Sequence, residues 1–433
     1  MVNYNTITKL TAFIFPSKID RDNFRYLGKS IETRKKLNKM KFNYPNLIKK
    51  FKEEKRSHYK VLFLINEISK WKMQSLYDLM DSSEHFEPVI ALTISDFQKK
   101  LTKEKQVEIL RANYEYFNQK GMKCVYAYDF NKFKPKSLEE FQPQIVFYQQ
   151  PWEIAECQMP FAVSEFALTC YVPYYVQNYG NFRMEADKEL HKSVWKYYIL
   201  NKDWEALFND HMTDNISKIT GLGHPMLDVF YKNKEYTGTK DYVIYAPHWS
   251  IEHEKNYNTE NYSTFLKNGK EILEYAKKHP EINWVFKPHP TLKYTLLRTG
   301  VMNEEEVKNY YMSWEEIADS CYNSDYPKLF LESKALITDC GSFLTEYFCT
   351  GKPIIHLISS TCKNHPMLPS KKYFDTFYQV HNLDEMYKCF EEIIIKDNDI
   401  KKPERLNMLK QCGFTDNYAA GNILEDLTKD LMQ

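Results

Sequence analysis

Short apolar runs alternate with stretches of helical periodicity along most of the chain. The run Val61 to Ile65 precedes a helical pattern from Trp71 to Met80, and a second run follows at Pro88 to Leu92. Apolar runs of this length on either side of a helical pattern predict a strand, a helix and a parallel strand. The alternation continues with a helix around 107–120 and strands at 124–126 and 145–148. We therefore predict an α/β fold built on a parallel sheet.

A second alternating series begins at Lys218 and runs to about Ile395. A chain of 433 residues exceeds the size at which one core grows efficiently, so we predict two α/β domains and a cleft. The predicted divisions are a basic N-terminal extension at 1–57, a first domain at 58–215, a second domain at 216–415, and a C-terminal helix at 416–433 that packs back on the body.

Composition and charge exclude several classes of protein. The formal net charge is +1 and no basic recognition motif is present, so we predict no nucleic-acid binding. The nine cysteines form no C-x-x-C pair and have no histidine at zinc spacing, which indicates a cytoplasmic protein without a metal site. No motif indicates a cofactor. No apolar stretch approaches the roughly 18 residues that span a bilayer, and the run Leu10 to Phe15 is too short for a secretory signal.

Basic residues cluster between Lys29 and Lys60, where lysines and arginines far outnumber the glutamates. One interpretation is that residues 29–60 attract the protein to an anionic membrane face or to a polyanionic acceptor. The other is a solvated helical extension with no partner. The sequence leaves both open, and the first predicts a position on the inner face of the cell membrane.

Chemically versatile residues follow three predicted strands of the second series. His248 comes just past the strand 242–246, and His289 comes just past the strand 284–287 between two prolines. Ser342 lies in the turn between a third strand and a helix. In open parallel sheets, ligands bind beyond the carboxyl ends of the strands. We therefore expect these three turns to lie together.

The third turn has the features of a phosphate-binding site. Gly341 allows the backbone to approach a ligand, and the start of a helix favours a phosphate, to which the Ser342 hydroxyl can also donate. Glu346 lies one helical turn further on, where a carboxylate can accept ribose hydroxyls. Alternatives stay open, because a histidine after a strand is often a structural group and Asp339 is also suited to cap the following helix.

Five segments resemble a known family: Gly221-Leu222-Gly223-His224-Pro225-Met226-Leu227-Asp228, Tyr245-Ala246-Pro247-His248-Trp249, Lys287-Pro288-His289-Pro290, Ile337-Thr338-Asp339-Cys340-Gly341-Ser342 and Asp416-Asn417-Tyr418-Ala419-Ala420. Their order and approximate spacing resemble the CDP-glycerol glycerophosphotransferase family, the polyol-phosphate transferases of teichoic acid and capsule assembly. The resemblance is close from Thr220 onward and loose before it. It implies a GT-B fold, with two Rossmann-like domains facing a cleft and an N-terminal extension.

The resemblance also implies roles for individual residues. The second domain would bind the nucleotide donor, with His289 as the family's functional histidine and Ser342 as its phosphate-contacting serine. The family has another histidine in its first domain, where this chain reads Thr169 to Tyr174 without one. In its place the chain offers His248, so either the base has moved to His248 or the reaction differs. The predicted catalytic residues are His248 and His289, and the predicted donor-binding residues are Lys287, Thr338, Asp339, Gly341, Ser342, Phe343 and Glu346.

The predicted reaction is transfer of a polyol phosphate from a CDP-linked donor to a hydroxyl of a glycan or lipid-linked acceptor. His248 would take the hydroxyl proton, and no metal is required. Three alternatives remain open. They are a GT-B glycosyltransferase that uses a UDP- or CMP-sugar, a sugar-nucleotide epimerase with a similar diphosphate turn, and an inactive scaffold.

Overall fold

The computed structural model describes residues 18–179, 188–233, 240–251, 261–320, 326–362, 364–416 and 418–433. The run Leu10 to Phe15 and Asn417 of the C-terminal motif lie outside the described residues. The chain divides into two compact units. The first contains Met1–Tyr174, Phe182–Met226 and Ala419–Gln433, and the second contains Tyr175–Asn181 and Leu227–Tyr418.

A parallel sheet forms the centre of the first unit. Its strands run in the order β3-β2-β1-β6-β7-β8-β9. They are buried between helices, which explains their nearly continuous apolar sequences. The strands are β1 Tyr59–Ile65, β2 Phe86–Leu92, β3 Cys124–Tyr126, β6 Ile145–Tyr148, β7 Leu168–Tyr171, β8 Lys196–Ile199 and β9 Lys218–Gly221, and a separate hairpin pairs β4 Tyr128–Asp129 with β5 Lys134–Pro135.

Helices of the first unit begin at polar caps where the sequence supplies them. Thr102 accepts from the amide of Lys105 before the helix Lys103–Gln119, and Asn201 accepts from the amides of Asp203 and Trp204 before the helix Lys202–His211. The described helices of this unit are α1 Lys18–Glu53, α2 Gln74–Asp81, α3 Lys103–Gln119, α4 Pro160–Val163, α5 Glu189–Ser193, α6 Lys202–His211 and α16 Ala419–Met432.

Helix α1, which contains most of the basic segment, packs on the first unit. Its buried side chains are Leu37, Met40, Tyr44, Leu47 and Phe51, which recur every three or four residues and form one apolar stripe. The hydroxyl of Tyr44 donates to the backbone oxygen of Ser193 at 2.6 Å. The helix is therefore part of the core of this unit.

Several basic side chains of α1 pair with carboxylates of the same unit. Arg34 lies 3.1 Å from Asp214, and Lys36 lies 3.2 Å from Glu189. Exposed pairs of this kind stabilise a fold by about 0–1 kcal/mol each. None of the described helices is long and apolar enough to cross a lipid bilayer.

The C-terminal helix α16 belongs to the first unit and packs against α2 and α1. Lys196, fully buried on β8, lies 2.5 Å from Asp426 and 2.7 Å from Asp430. The hydroxyl of Tyr198 donates to Asp426 at 2.9 Å. A buried ammonium needs such partners, because burial of an unpaired charge is costly. This ion pair attaches the end of the chain to the first sheet.

The second unit contains a six-stranded parallel sheet in the order β12-β11-β10-β13-β14-β15. Large aromatic side chains fill one face, where Phe286 and Trp314 stack with ring centroids 4.9 Å apart. The strands are β10 Tyr242–Ala246, β11 Trp284–Phe286, β12 Asp319–Ser320, β13 Ser333–Thr338, β14 Ile354–Leu357 and β15 Tyr378–Val380.

Helices connect the strands of the second unit. Helix α10 begins with a capping box in which Asn303 and Glu306 each accept from the other's backbone amide. The described helices are α7 Asp228–Lys232, α8 Phe265–Lys277, α9 Leu292–Thr299, α10 Glu304–Glu315, α11 Pro327–Glu332, α12 Gly341–Phe348, α13 Leu368–Phe374, α14 Leu383–Phe390 and α15 Lys402–Cys412.

The division between the units differs from the predicted one. Strand β9, which the sequence analysis assigns to the second domain, pairs with β8 and completes the first sheet. Its last residue, Gly221, lies so close to Asn201 that a Cβ atom would stand 2.3 Å from the backbone oxygen of Asn201. The alternating pattern identifies β9 as a strand, but it carries no signal for the sheet that the strand joins.

Candidate functional site

The three predicted turns meet at one edge of the second sheet. Strand β10 lies between β11 and β13, and all three are parallel. The residues that follow them, His248, His289 and Ser342, are therefore at the same, carboxyl edge. The chain leaves β10 toward β11 and returns to β13 on the other side, which makes this edge a topological switch point. The expected convergence of the turns is confirmed.

The two histidines lie side by side. Their ring centroids are 5.2 Å apart, with the rings close to perpendicular. The backbone fixes this arrangement, because the amide of His289 donates to the backbone oxygen of Pro247 at 2.9 Å. The ring of Tyr262 lies against His248, with centroids 5.5 Å apart. Both histidines are half-buried.

Hydrogen bonds to Nδ1 set the proton positions on both rings. Nδ1 of His289 accepts from the backbone amide of Thr291 at 3.2 Å, and Nδ1 of His248 accepts from the backbone amide of Ser250 at 3.2 Å. An amide can only donate, so we assign the proton of the neutral rings to Nε2. Each ring then directs an Nε2–H donor away from its own loop.

His248 has a second partner that His289 lacks. The Ser250 hydroxyl oxygen lies 2.8 Å from Nδ1 of His248 and accepts from the amide of Tyr262 at 3.0 Å. A hydroxyl oxygen can also accept from an Nδ1–H. His248 can therefore adopt the other tautomer, with an unprotonated Nε2. Of the two rings, His248 is the one whose contacts permit a general base.

Burial keeps both imidazoles neutral. Desolvation and the neighbouring His289 hold the pKa of His248 well below its ordinary value of 6.5. Desolvation and the nearby Lys287 ammonium lower the pKa of His289 to about 3. At pH 7 the pair therefore consists of neutral rings that can donate or accept hydrogen bonds.

Asp339 supports the histidine loop instead of capping the helix that follows it. Its carboxylate accepts from the amide of His248 at 2.6 Å, and from the amide and hydroxyl of Thr264 at 2.5 and 2.9 Å. Thr264 immediately precedes α8, so the carboxylate holds the start of that helix. Desolvation raises the pKa of Asp339 to about 6 despite these donors. Its predicted donor-binding role has no support in these contacts.

Thr338 is likewise occupied inside the protein. The side chain is fully buried, its hydroxyl donates to the backbone oxygen of Ala246 at 2.6 Å, and the same oxygen accepts from the amide of Cys340 at 2.9 Å. These bonds connect the end of β10 to the turn before α12. The prediction that Thr338 contacts the donor is corrected, since its buried hydroxyl both donates and accepts within the protein.

Asn178 and Tyr179 pack against the turn before α12. The side-chain Nδ2 of Asn178 donates to the backbone oxygen of Gly341 at 2.7 Å. A Cβ atom at Gly341 would stand 3.2 Å from the ring of Tyr179, so only glycine fits without displacement. Ser342 is half-buried at the first turn of α12, where the helix dipole favours an anion. This geometry is compatible with a phosphate-binding turn.

Glu346 faces the interior of the second unit. It is 4% exposed and accepts from the hydroxyl of Tyr326. The ring of Tyr326 also contacts Phe343, with centroids 4.9 Å apart, and the Lys287 ammonium lies 4.7 Å from the centroid of Tyr326. Lys287, Phe343 and Glu346 thus form a buried cluster around Tyr326. The expectation that Glu346 accepts ribose hydroxyls is corrected for this structure.

Sequence reasoning misses Ser250, Thr264, Tyr326 and Asn178. Each acts through a contact between segments that are distant along the chain or through a single hydroxyl. Of these four residues, only Asn178 lies in a segment with a sequence signal. Aromatic residues and prolines are concentrated between Gln149 and Tyr179, and this concentration predicts loops there. Among the described residues, no group of three His, Cys, Asp or Glu side chains could hold a metal ion.

His224, in another motif of the resemblance, is structural and lies in the first unit. Its Nε2 lies 2.6 Å from the backbone oxygen of Pro173, and its Nδ1 accepts from the amide of Met226 at 3.3 Å. Both ring nitrogens are therefore used within the protein. Burial lowers the pKa of His224 to about 4.

Comparisons with known proteins agree with the fold and with the family resemblance. Residues 174–362 match the family model described as CDP-glycerol:poly(glycerophosphate) glycerophosphotransferase. The resemblance drawn from the sequence motifs is confirmed over these residues. A comparison with curated protein sequences finds no match.

Solved structures similar to this chain include two kinds of enzyme. UDP-GlcNAc 2-epimerase from Neisseria meningitidis, bound to UDP-GlcNAc, has a TM-score of 0.53 at 16% identity over 86% of this chain and 100% of its own. A variant of the wall teichoic acid polymerase TagF has a TM-score of 0.53 at 12% identity over 94% of this chain and 98% of its own. At these identities the likeness shows the fold, and the predicted GT-B class is confirmed.

Proposed function

From the premise that residues 174–362 match the CDP-glycerol:poly(glycerophosphate) glycerophosphotransferase family, we propose that this chain transfers a polyol phosphate from a CDP-linked donor to an acceptor hydroxyl. The observation that carries the proposal is the pair of neutral histidines, 5.2 Å apart, at the switch point of the sheet within the matched region. The donor is CDP-glycerol or a similar CDP-polyol. The acceptor is a glycan or a lipid-linked glycan of the cell surface.

The proposed reaction forms one phosphodiester bond and breaks one phosphoanhydride bond. The acceptor oxygen attacks the distal phosphorus of the donor, and CMP leaves with the bridging oxygen. The acceptor proton passes to Nε2 of His248, whose Nδ1–H then faces the Ser250 hydroxyl. General-base catalysis of this kind contributes roughly 10²–10⁴-fold to the rate.

The remaining groups stabilise negative charge on the phosphates. The Nε2–H of His289 donates to a phosphate oxygen, because its Nδ1 is held by the Thr291 amide. Ser342 and the first turn of α12 bind the other phosphate. Lys287 adds positive charge from beneath the site, where its low exposure reduces screening. These donors supply the neutralisation that phosphoryl transfer requires.

Nucleotide binding and CMP release test the proposal together. We expect CMP and CDP to raise the unfolding temperature more than UMP and UDP, and we expect CDP-glycerol with acceptor to yield CMP. His289→Ala should reduce CMP release by at least about 100-fold, the scale of removing one transition-state donor. His279→Ala is the matched control, since His279 contacts Glu281 beyond the end of α8. A preference for uridine nucleotides contradicts the proposal.

We also propose that the protein acts at the cytoplasmic face of the membrane through the outer face of α1. Exposed Phe42, 72% accessible, lies beside Lys41 on this basic helix. Lysine is attracted to anionic lipid headgroups, and phenylalanine buries its ring at the boundary between headgroups and acyl chains. Deletion of α1 would remove buried core residues, so the test is Lys41→Glu with Phe42→Ser. This variant should lose cosedimentation with phosphatidylglycerol vesicles and keep its unfolding temperature. Unchanged cosedimentation contradicts the proposal.

An epimerase of the same fold is the second candidate, because the chain is similar in structure to UDP-GlcNAc 2-epimerases. That reaction needs no acceptor. Incubation with UDP-GlcNAc alone distinguishes the two functions, since a transferase leaves its C2 configuration unchanged.

A further inference from the structure

A second pocket lies at the switch point of the first sheet. The chain leaves β1 toward β2 and returns to β6 on the other side of β1. Asn66, Thr93 and Gln149 directly follow these three strands and line the pocket, together with Gln150. Its position within the first unit is topologically equivalent to that of the histidine pair in the second. Ligands of open α/β sheets bind at such positions.

Gln149 and Gln150 each present one amide atom without a hydrogen-bond partner. Gln149 is 2% exposed and Gln150 is 6% exposed. The unpartnered atoms are Nε2 of Gln149 and Oε1 of Gln150. Leaving a buried donor or acceptor unsatisfied destabilises a fold, so such atoms in residues that line a pocket require an explanation.

The orientation of both amides follows from their other contacts. Oε1 of Gln149 accepts from the backbone amide of Lys72 at 3.0 Å, and Nε2 of Gln150 donates to the backbone oxygen of Trp152 at 2.8 Å. Backbone groups have fixed donor and acceptor character, which excludes a flipped assignment. The unpartnered atoms of these two pocket-lining residues are therefore a true donor on Gln149 and a true acceptor on Gln150.

Neighbouring buried glutamines satisfy both of their amide atoms. Gln158 accepts from the hydroxyl of Thr93 and donates to the backbone oxygens of Ala127 and Lys136. Gln98 accepts from the amide of Ser95 and donates to the backbone oxygen of Asn66. Half-satisfied amides are thus specific to Gln149 and Gln150 at this edge of the sheet.

The chemistry of the pocket indicates a neutral hydroxyl group. One donor and one acceptor match an alcohol, which both accepts and donates. Lys70 and Glu153 also line the pocket, so its charges are of both signs. The space inside is of the order of one water-sized group, which suits a single hydroxyl rather than a phosphate.

We propose that Gln149 and Gln150 form a subsite for a hydroxyl group of a polyol or glycan ligand. The proposal rests on the proposed function only in identifying this ligand with the acceptor. Nε2 of Gln149 donates to the ligand oxygen, and Oε1 of Gln150 accepts from a ligand hydroxyl. The subsite lies wholly within the first unit.

Two probes and two matched variants test the subsite. Glycerol 3-phosphate carries free hydroxyls that n-propyl phosphate lacks, and saturation-transfer NMR titration gives the affinity ratio of the two. Gln149→Glu keeps the acceptor for the Lys72 amide and replaces the inward donor. Gln144→Glu is the control, because Gln144 is buried at the opposite end of β6 and accepts from the amide of Lys60 in the same way.

We expect the wild-type protein and Gln144→Glu to favour glycerol 3-phosphate by about tenfold, the value of one well-placed hydrogen bond to a buried group. Gln149→Glu should reduce this preference to within twofold. Gln150→Met, which removes the acceptor at similar size, should reduce it as well. No preference in the wild type, as for a site that holds water only, overturns the proposal, and so does an unchanged preference in Gln149→Glu.

Failure of the subsite and failure of the proposed function give different results. If CMP is released normally from CDP-glycerol and Gln149→Glu does not change the acceptor KM, the subsite proposal is refuted and the proposed function stands. If the protein prefers glycerol 3-phosphate through Gln149 but does not use CDP-glycerol, the proposed reaction is refuted and the subsite stands.

Discussion

Ser250→Ala removes the side-chain hydroxyl that, in the proposed mechanism, allows His248 to act as a base. The hydroxyl oxygen lies 2.8 Å from Nδ1 of His248, and the backbone amide of residue 250, 3.2 Å from the same nitrogen, is retained in the variant. With only an amide beside it, Nδ1 must be an acceptor, and the proton stays on Nε2. The variant ring can donate to a phosphate, but it can take the acceptor proton only from a disfavoured tautomer.

The magnitude follows from the cost of the wrong tautomer. An Nδ1–H that faces an amide donor is an unsatisfied polar group, which costs about 1–3 kcal/mol. At about 1.4 kcal/mol per tenfold change in an equilibrium, the active tautomer becomes roughly fivefold to one hundredfold rarer. We therefore expect kcat to fall by that factor, with the KM for CDP-glycerol within about twofold of the wild-type value.

Two further variants separate this effect from a general loss of structure. Thr291→Ala should be fully active, since the bond to His289 comes from the backbone of residue 291. Ser250→Thr should restore most of the activity because it keeps a hydroxyl. Ser250→Ala also removes the acceptor of the Tyr262 amide, so urea unfolding is measured in parallel.

The assay is CMP release at saturating donor, combined with ¹⁵N NMR of the histidine rings. The ring spectrum should show an unprotonated Nδ1 for His248 in Ser250→Ala. A kcat for Ser250→Ala within twofold of the wild type would refute the assignment of His248 as the base that Ser250 positions.

Three other predictions concern stability and the division of roles. Asp339→Asn should lower the free energy of unfolding in urea by about 1–3 kcal/mol, because the NH2 group that replaces one carboxylate oxygen cannot accept from a backbone amide. Asp319→Asn on the surface should change the free energy of unfolding by less than about 0.5 kcal/mol. Thr338→Val should lower the free energy of unfolding by about 1–2 kcal/mol and leave CMP affinity within twofold. Ser342→Ala should instead lower CMP affinity and leave stability unchanged, and calorimetry measures both quantities. The native pKa of His289, about 3, is below that of the unfolded chain, so the unfolded state binds more protons between pH 6.5 and 3 and the unfolding temperature should fall as pH is lowered. His289→Gln should flatten this dependence, and an unchanged slope would contradict it.

Strands and turns could be predicted because their signals are local. Apolar runs mark β10, β11 and β13, and parallel pairing carries His248, His289 and Ser342 to one edge wherever those strands are neighbours. The family motifs add to this, since they occupy the same turns. Fold class and the position of the candidate site are therefore within reach of the sequence.

Side-chain direction could not be predicted in the same way. A spacing of four residues puts Glu346 near the face of Ser342. However, α12 is buried from Phe343 to Phe348, so Glu346, one turn into the helix, lies inside the core. Asp339 bonds to Thr264, far away along the chain, instead of to its own helix. Such choices depend on tertiary packing, which a single sequence does not encode in any local pattern.

The central claim is that the histidine pair and the turn before α12 transfer a phosphoryl-linked polyol and not a sugar. ³¹P NMR of the full chain with CDP-glycerol and a glycerol-phosphate-primed acceptor tests this most directly. We expect the diphosphate signals to disappear while CMP and a new phosphodiester appear in equal amounts, and we expect His289→Ala to stop both changes. Stable CDP-glycerol signals, together with conversion of UDP-GlcNAc in the absence of acceptor, would contradict it.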